Sequence, residues 1–386
     1  MSKVINFGAS AKNFSYSCMK PNERVRAVYH RQPTDQVPLI LDLSHWYKKN
    51  RHVPFNLAGF TQVEAGLVAL HKEIGAVSYC EMGGYYTLQS EDPAVSLTTS
   101  TADGVFTSSI VTPLGSLHEE RVFNPETYSY GIRKYLLESP DEFPIIEYLM
   151  ARLTCRPKWD YYRAWQQSLG DLAYQYAQLP YSGSGYLMAR YMGVEAAVYA
   201  VLDEPEKVRR LVNAVNGCNL RILDAIMDGP FETLIISDNY DSNVQTKEFF
   251  DAYVRDYYTE VARRLHAHGK TLAVHVDGES RGVLRWLAEC GVDCADAVTP
   301  KPMFSATPAE MRAAAGPDLI LSGGIPATIF GPLASDQEFI DCVRRWLDTR
   351  LASPRLIMAA GDQVPTDASY HRIALLPELV EKYGKY

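Results

Sequence analysis

The sequence predicts an α/β fold: a single (β/α)8 TIM barrel with an inserted antiparallel β-hairpin region. Three apolar segments, 234–239, 269–278 and 356–362, each end in a polar tip that carries an acid. Short apolar strands alternate with helices through the second half of the chain, which is typical of a parallel sheet. The count of predicted strands is roughly eight, and this number favours a closed barrel over an open sheet.

The first half of the chain begins with predicted helices over 21–32 and 61–74 and strands over 39–43 and 77–80. Polar and apolar residues then alternate around two turns, which predicts antiparallel hairpins over 95–101, 105–111 and 116–122. Helices follow over 141–154 and 159–177, and a strand over 182–187.

The second half has a regular rhythm of strands and helices. Strands are predicted over 233–237, 271–276, 295–298, 319–321 and 356–359. Helices are predicted over 205–227, 246–268, 281–290, 308–315 and 336–351. No repeat or low-complexity linker divides the chain, so we expect one barrel domain over 1–386 with an N-terminal extension over 1–20.

Composition excludes several classes of protein. Lys and Arg number 38 against 46 Asp and Glu, a balance of −8 that is unsuited to binding nucleic acid. No apolar run approaches the ~18–20 residues that span a bilayer, and the N-terminus has no signal-peptide core. Seven scattered cysteines without a C-x-x-C pair indicate reduced thiols and a cytoplasmic protein.

Candidate metal ligands lie at three predicted strand ends. Residues i and i+2 of a strand share one face, so His275 and Asp277 are expected to point together into a site. Asp362 joins them if the barrel closes, and Asp296 is a further candidate ligand. The alternatives are a hydrogen-bonded network without metal for His275 and Asp277, and a helix cap or loop carboxylate for Asp296.

Candidate catalytic and substrate-binding residues lie in the loops. Asp238 follows a buried run, which favours a role as acid, base or hydrogen-bond partner alongside His275, although Asx residues are also common turn formers. Tyrosine is frequent, 25 residues against 13 Phe, and a rim of tyrosines suits an aromatic or oxygen-rich substrate. The predicted substrate-binding residues are Asn239, Tyr240, Glu81 and Tyr85.

A set of short motifs, in their order and spacing, resembles the uroporphyrinogen decarboxylase superfamily, which also contains corrinoid-linked methyltransferases. The resemblance covers nearly the whole chain. It rests on Arg24-Val25-Arg26-Ala27, Asp35-Gln36-Val37-Pro38, Thr112-Pro113-Leu114-Gly115, Ser237-Asp238-Asn239, His275-x-Asp277-Gly278, Gly291-Val292-Asp293, Gly323-Gly324-Ile325-Pro326 and Gly361-Asp362-Gln363-Val364-Pro365.

Two departures from the family pattern indicate the branch. True uroporphyrinogen decarboxylases resemble each other in an arginine-rich segment after the first strand, whereas residues 39–47 here contain no arginine. The methyltransferase branch typically binds zinc through His-x-Cys and a later Gly-Cys, and here Asp277 and Asp362 stand at the cysteine positions. Zn²⁺ accepts carboxylate oxygens, and an oxygen-rich site suits the polarisation of an ether or hydroxyl oxygen.

The resemblance therefore implies a metal-dependent methyltransferase. It would move a methyl group from a small methoxylated or N-methylated substrate to the cobalt of a corrinoid (cobalamin) carried by a separate protein, with a divalent metal, Zn²⁺ first, as cofactor. One alternative is a metal-independent decarboxylase of a small carboxylated ring compound. Another is a non-catalytic partner of a corrinoid protein. The sequence does not name the methyl donor.

Overall fold

The computed structural model describes residues 19–53, 62–79 and 84–386. Its strands are β1 (Ile40–Leu41), β2 (Val77–Ser78), β3 (Tyr86–Ser90), β4 (Ser96–Ala102), β5 (Val105–Thr112), β6 (Gly115–Asn124), β7 (Ser129–Lys134), β8 (Leu153–Pro157), β9 (Ala177–Leu179), β10 (Thr233–Ile236), β11 (Thr271–His275), β12 (Cys294–Val298), β13 (Ile320–Ile325) and β14 (Leu356–Ala360).

The α-helices of the described residues surround and connect these strands. They are α1 (Pro21–Tyr29), α2 (Ser44–Asn50), α3 (Ala65–Ile74), α4 (Phe143–Met150), α5 (Trp159–Leu169), α6 (Gly183–Tyr186), α7 (Gly193–Asp203), α8 (Pro205–Ile226), α9 (Lys247–Tyr253), α10 (Arg255–Ala267), α11 (Val283–Glu289), α12 (Pro308–Ala315), α13 (Ala327–Phe330), α14 (Asp336–Asp348) and α15 (Tyr370–Tyr383). No helix among them is long and apolar enough to cross a bilayer.

A six-stranded parallel sheet in the order β14-β13-β12-β11-β10-β9 organises the fold. Strands β1 and β2 form a separate parallel pair. Single parallel bridges link this pair to both ends of the large sheet, from Leu39 to Met358 in β14 and from Ser78 to Ala173 just before β9. The predicted α/β class with a parallel sheet is confirmed.

The parallel strands of the second half are buried because helices cover them. Every residue of β10, β12, β13 and β14 is buried. Strands that are buried on both faces read as continuous apolar runs, which is why these segments could be recognised in the sequence. Their boundaries agree with the predicted strands to within a few residues.

The predicted hairpin region is a four-stranded antiparallel sheet, β4-β5-β6-β7. Strands β4, β5 and β6 agree with the prediction, and β7 adds a fourth strand. Glu119 of β6 anchors the sheet, because it is buried and pairs with Arg190 at 2.6 Å and with Arg121 at 3.0 Å. Strands β3 and β8 form a second antiparallel pair.

Several element predictions for the middle of the chain are wrong. The segment 182–187 is helical rather than a strand, because the hydroxyl of Ser182 caps α6 by accepting from Gly185 N at 3.0 Å. The strand lies earlier, at β9. The predicted helix 159–177 ends at Leu169, where Gly170 adopts a positive φ of 59°. The predicted helix 246–268 is two helices that meet at Val254.

Candidate functional site

The carboxyl ends of β11, β12 and β14, here called the rim, bring an imidazole and carboxylates together. His275 is the last residue of β11 and lies opposite Asp296 in the register of β11 and β12. Its Nδ1 lies 3.0 Å from Asp296 Oδ2, and the hydroxyl of Tyr79 donates to the same oxygen at 2.5 Å. Strand register therefore fixes the orientation of the imidazole ring.

The other ring nitrogen of His275 faces Asp362. The distance from Nε2 to Asp362 Oδ1 is 3.5 Å. Asp362 follows Gly361 at the end of β14, and a Cβ at Gly361 would lie 1.9 Å from Thr299 Oγ1, so a larger residue would push this loop away. The side chain of Asp362 is 37% exposed, against 12% for His275, so the pair reaches from the interior towards solvent.

His275 carries a positive charge at neutral pH. Burial lowers its pKa, but the hydrogen bond and charge of Asp296, followed by the charges of Asp362 and Asp277, outweigh burial and raise the pKa to about 9. The imidazole can therefore hold a proton on Nε2 next to Asp362.

Asp277 reaches the rim by a different route from the one predicted. Strand β11 ends at His275, and Asp277 has a positive φ of 30°, so strand alternation no longer sets its direction. Burial, followed by the charge of Asp362, raises the pKa of its carboxyl group. Asp277 thus belongs to the same group of charges, through a turn rather than through a shared strand face.

Two cavities meet at Asp362. A small one of about 20 Å³, room for roughly one water molecule, is lined by Asp42, Tyr79, His275, Asp296 and Asp362 among others. A larger open cavity of about 520 Å³ is lined by His45, Lys49, Asp277, Met303 and Asp362 among others. The larger volume is in the usual range for small-molecule sites.

Non-glycine residues with positive φ follow or interrupt three neighbouring strands. They are Asn239 after β10 (49°), Asp277 after β11 (30°) and Ala297 within β12 (57°), where the register with β13 shifts. Such conformations are costly and cluster at functional sites. Their position at one end of three strands supports a functional role for the rim.

Asp238, which follows β10, has its hydrogen bonds to other elements than the rim. It is buried, and its oxygens accept from Ser182 N at 2.7 Å and from the hydroxyl of Tyr258 at 2.6 Å. Burial raises its pKa, while these hydrogen bonds lower it. These contacts tie the loop after β10 to the loop before α6 and to α10.

The predicted substrate-binding residues have diverse positions. Asn239 is exposed. Tyr240 is buried and donates to the Gln245 carbonyl within its own loop at 2.9 Å, so it packs that loop. Tyr85 is 1% exposed and packs against Trp159 and Tyr162, so it belongs to the core rather than to an open pocket. Glu81 lies outside the described residues.

Three residues near the carboxylates of the rim were missed by the sequence analysis: Tyr79, His45 and Tyr181. Tyr79 directly follows β2, and His45 follows β1 and lines the larger cavity. Tyr181 follows β9, and after burial the charges of Asp238, Asp362 and Asp277 contribute most to raising its pKa. The signal in the sequence was the position of each of these residues after a parallel strand. The predicted strand 182–187 follows Tyr181, whereas the observed strand β9 precedes it, so the prediction did not point to Tyr181.

The fit of a metal ion is partial. No three His, Cys, Asp or Glu side chains in residues 19–53, 62–79 and 84–386 are arranged to hold a metal. His275 Nε2 and Asp362 already converge, and Asp277 adds a nearby carboxylate, which are donor types that suit a divalent cation. Asp296 binds the opposite nitrogen, which is how carboxylates usually orient a metal-binding histidine.

Comparison with known proteins identifies the family. Residues 180–383, just over half of the chain, match the family model described as "Uroporphyrinogen decarboxylase (URO-D)". The chain belongs to the uroporphyrinogen decarboxylase family. The matched segment includes His275, Asp296 and Asp362, so the rim is part of the family domain.

A solved structure of a methyltransferase from Methanosarcina mazei has a similar fold. The TM-score is 0.61 at 11% sequence identity, over 95% of this chain and 99% of that one. At this identity the likeness establishes the fold alone. No curated protein sequence matches the chain.

Proposed function

We propose that this member of the uroporphyrinogen decarboxylase family is a methyltransferase. It moves a methyl group from a small methoxylated or N-methylated compound to the cobalt of a corrinoid carried by a separate protein. The observation that carries the proposal is the convergence of His275 Nε2 and Asp362 Oδ1 next to an open cavity of about 520 Å³. The fold shared with a methyltransferase is consistent with it.

We also infer that the parallel strands close into the predicted (β/α)8 barrel. One buried cluster contains a residue of each of seven strands together with Tyr176, which directly precedes β9. The seven are Ile40, Val77, Ile235, Ala273, Cys294, Ile320 and Ile357. One cluster of side chains from seven strands and from the residue before the eighth is expected for the packed interior of a barrel, and the two single bridges join the same edges.

The chemical task of the rim is to improve a poor leaving group. When the bond between the methyl carbon and its oxygen or nitrogen breaks, the leaving atom retains the electron pair and needs a proton or a cation. Protonated His275 can supply that proton from Nε2, because Asp296 holds Nδ1 and Tyr79 holds Asp296. Asp277 and Asp362 border the cavity in which the substrate is proposed to lie.

A divalent metal, Zn²⁺ first, is proposed as cofactor. His275 Nε2, Asp362 and Asp277 would hold it, and Asp296 would orient His275. A metal at Nε2 would take the place of the proton on that nitrogen, and it would supply Lewis acidity towards the leaving oxygen instead of that proton. The negative charge of these aspartates supports a cation in this place, because burial and the charge of Asp362 already raise the pKa of Asp277.

The direct test mixes purified protein with reduced corrinoid protein and a panel of aromatic methyl ethers, aliphatic methyl ethers and methylated amines. The cobalt absorption spectrum reports formation of methyl-cobalt. We expect transfer from at least one donor class, loss of transfer in His275→Ala, and normal transfer in His266→Ala, whose side chain is exposed on α10 and pairs with Asp293. Absence of methyl-cobalt with every donor would contradict the proposal. Binding of the corrinoid protein without turnover would favour a non-catalytic partner.

Elemental analysis tests the metal separately. Untreated protein should contain one divalent ion per chain, which His275→Ala should lose. Asp277→Cys should retain zinc, because thiolate is a good ligand, while transfer from an oxygen-linked methyl group falls. Full metal content in His275→Ala would remove His275 from the ligand set.

A second candidate function is favoured by one observation. His275 is held as an imidazolium between two carboxylates, and such a group can protonate a carbanion without metal. This arrangement suits a metal-independent decarboxylase of a small carboxylated ring compound. Release of CO₂ from such compounds by metal-free protein, without methyl transfer, would favour this function.

A further inference from the structure

A groove between α12 and α14, here called the α12–α14 groove, lies at the opposite end of the strands from the rim. Its lining includes Ala309, Arg312, Ala313, Arg345 and Leu351, and its volume is about 530 Å³. It also includes Gly316 and Pro317, which precede β13, and Thr349 and Ala352, which precede β14. It is therefore at the amino ends of β13 and β14, whereas the carboxyl end of β14 forms part of the rim, and it shares no residue with the two cavities there.

Arg312 is the unusual residue of this groove, because it is only 4% exposed and forms no ion pair within the described residues. Burial lowers the pKa of its guanidinium, and the charge of Asp318 only partly offsets this effect. Its guanidinium donates to the carbonyls of Arg355 at 2.9 Å, Leu319 at 2.7 Å and Gly316. These bonds use three of the five N–H donors of an arginine, and Nε has no partner. Carbonyl oxygens satisfy hydrogen bonds, but they do not neutralise a buried charge.

Arg345 adds a second uncompensated guanidinium. In residues 19–53, 62–79 and 84–386, neither Arg312 nor Arg345 forms an ion pair. Asp348, which also lines the groove, pairs instead with Arg344 and Arg350. Both arginines lie in the last turn of a helix. A cation at this end interacts favourably with the helix dipole, which accounts for a general preference for basic residues there. It does not explain why both line one cavity.

We propose that the α12–α14 groove binds a small amphiphilic anion, a carboxylate with an apolar body. The carboxylate would lie against Arg345 and Arg312, and the apolar body against Ala309, Ala313 and Leu351. Leu351 supports this arrangement, because its side chain is largely exposed at the groove when no ligand covers it. The groove volume is in the range of small-molecule sites. This site does not depend on the proposed methyl transfer.

Calorimetric titration of the full-length protein with octanoate is the test. Octanoate supplies both parts of the ligand, acetate supplies the charge alone and octan-1-ol the apolar chain alone. We expect octanoate to bind at least about tenfold more tightly than either fragment, because each fragment lacks one of the two contacts. Absence of octanoate binding at millimolar concentration, or equal affinity for octanol, would overturn the proposal.

Variants locate the binding site. Arg345 is exposed, so Arg345→Ala should fold normally and weaken octanoate binding about tenfold or more, the loss expected for one charge-assisted hydrogen bond. Arg210→Ala in α8 is the control, because Arg210 is likewise an exposed helical arginine but does not line the groove, and this variant should bind within about twofold of the wild-type affinity. Ala313→Leu should fill the groove and weaken binding, while His275→Ala should bind normally. Equal effects of Arg345→Ala and Arg210→Ala would overturn the site.

Discussion

Two histidines of this protein, one buried and one largely buried, have opposite charge states. His71 in α3 is 1% exposed, and its Nδ1 lies 3.2 Å from the carbonyl oxygen of Ala76. Burial lowers its pKa to about 4, so this imidazole is neutral at neutral pH. At the rim, the carboxylates around His275 overcome burial and raise its pKa to about 9.

The difference between the two sites is the partner rather than the degree of burial. A carbonyl oxygen offers a dipole, which satisfies a neutral imidazole, whereas a carboxylate stabilises the imidazolium. A buried histidine whose surroundings keep it charged is a functional-site candidate, because evolution must retain several carboxylates around it against their desolvation cost. His71 needs no such explanation and is accounted for by packing.

The largest expected effect separates the two histidines by turnover. His275→Ala should lower methyl transfer about 10³-fold, the range for loss of a positioned acid. It should also lower the free energy of unfolding at neutral pH, because the imidazolium no longer pairs with Asp296 and Asp362. His71→Ala should lower the free energy of unfolding by about 2–3 kcal/mol through an internal cavity, but it should leave turnover by the folded fraction normal. Cobalt-spectrum assays and urea unfolding of both variants check this. Similar loss of turnover in both variants would end the comparison.

The pH dependence of stability should also differ between the two histidines. The folded pKa of His71 is below the unfolded value of about 6.5, so its contribution is present above pH 6.5 and is lost as pH falls towards 4. The shift is worth about 3 kcal/mol. The folded pKa of His275 is raised, so its contribution is present below pH 6.5 and is lost as pH rises through about 9.

Urea unfolding from pH 4 to pH 9.5, with a chelator present, measures both contributions. His71→Gln should flatten the acidic side of the stability curve, and His275→Gln should flatten the alkaline side. If His71→Gln leaves the acidic side unchanged, burial of a neutral imidazole is not the source of that pH dependence.

Removal of the Asp296 carboxylate should lower the pKa of His275 towards that of His71. Asp296→Asn replaces the partner of Nδ1 with a neutral amide, so the pKa of His275 should fall and turnover should decrease about 10²-fold. NMR titration of the His275 ring in metal-free protein measures the pKa. Asp238→Asn is the matched control, since Asp238 is also a buried aspartate that accepts from a tyrosine, and it should leave the His275 titration unchanged.

The local pattern of the sequence was sufficient to predict much of the fold and part of the candidate site. The strands of the second half could be predicted because each is an apolar run buried between two neighbours, and His275 and Asp362 could be predicted because they follow such runs. The segment 182–187 could not, because the Ser182 cap and the close packing of Gly183 against Val212 decide its conformation.

Other features depend on contacts between distant residues. The register of β11 and β12 makes Asp296 the partner of Nδ1, and no spacing in the sequence gives that register. Tyr79 reaches Asp296 from another strand, 217 residues away along the chain. The positive φ of Asp277 ended the strand alternation on which its prediction depended.

The smallest expected effect concerns Tyr79, whose hydroxyl donates a hydrogen bond to the Asp296 carboxylate. Tyr79→Phe removes a hydrogen bond to Asp296 Oδ2 and should lower the free energy of unfolding by about 1.5 kcal/mol, the usual loss for a bond to a charged group. Tyr258→Phe removes the corresponding bond to Asp238 and should lower it by a similar amount. Only Tyr79→Phe should change the His275 titration and reduce turnover about fivefold, because only Asp296 orients an imidazole. An equal change of the His275 titration in both variants would show that the tyrosines act through general packing.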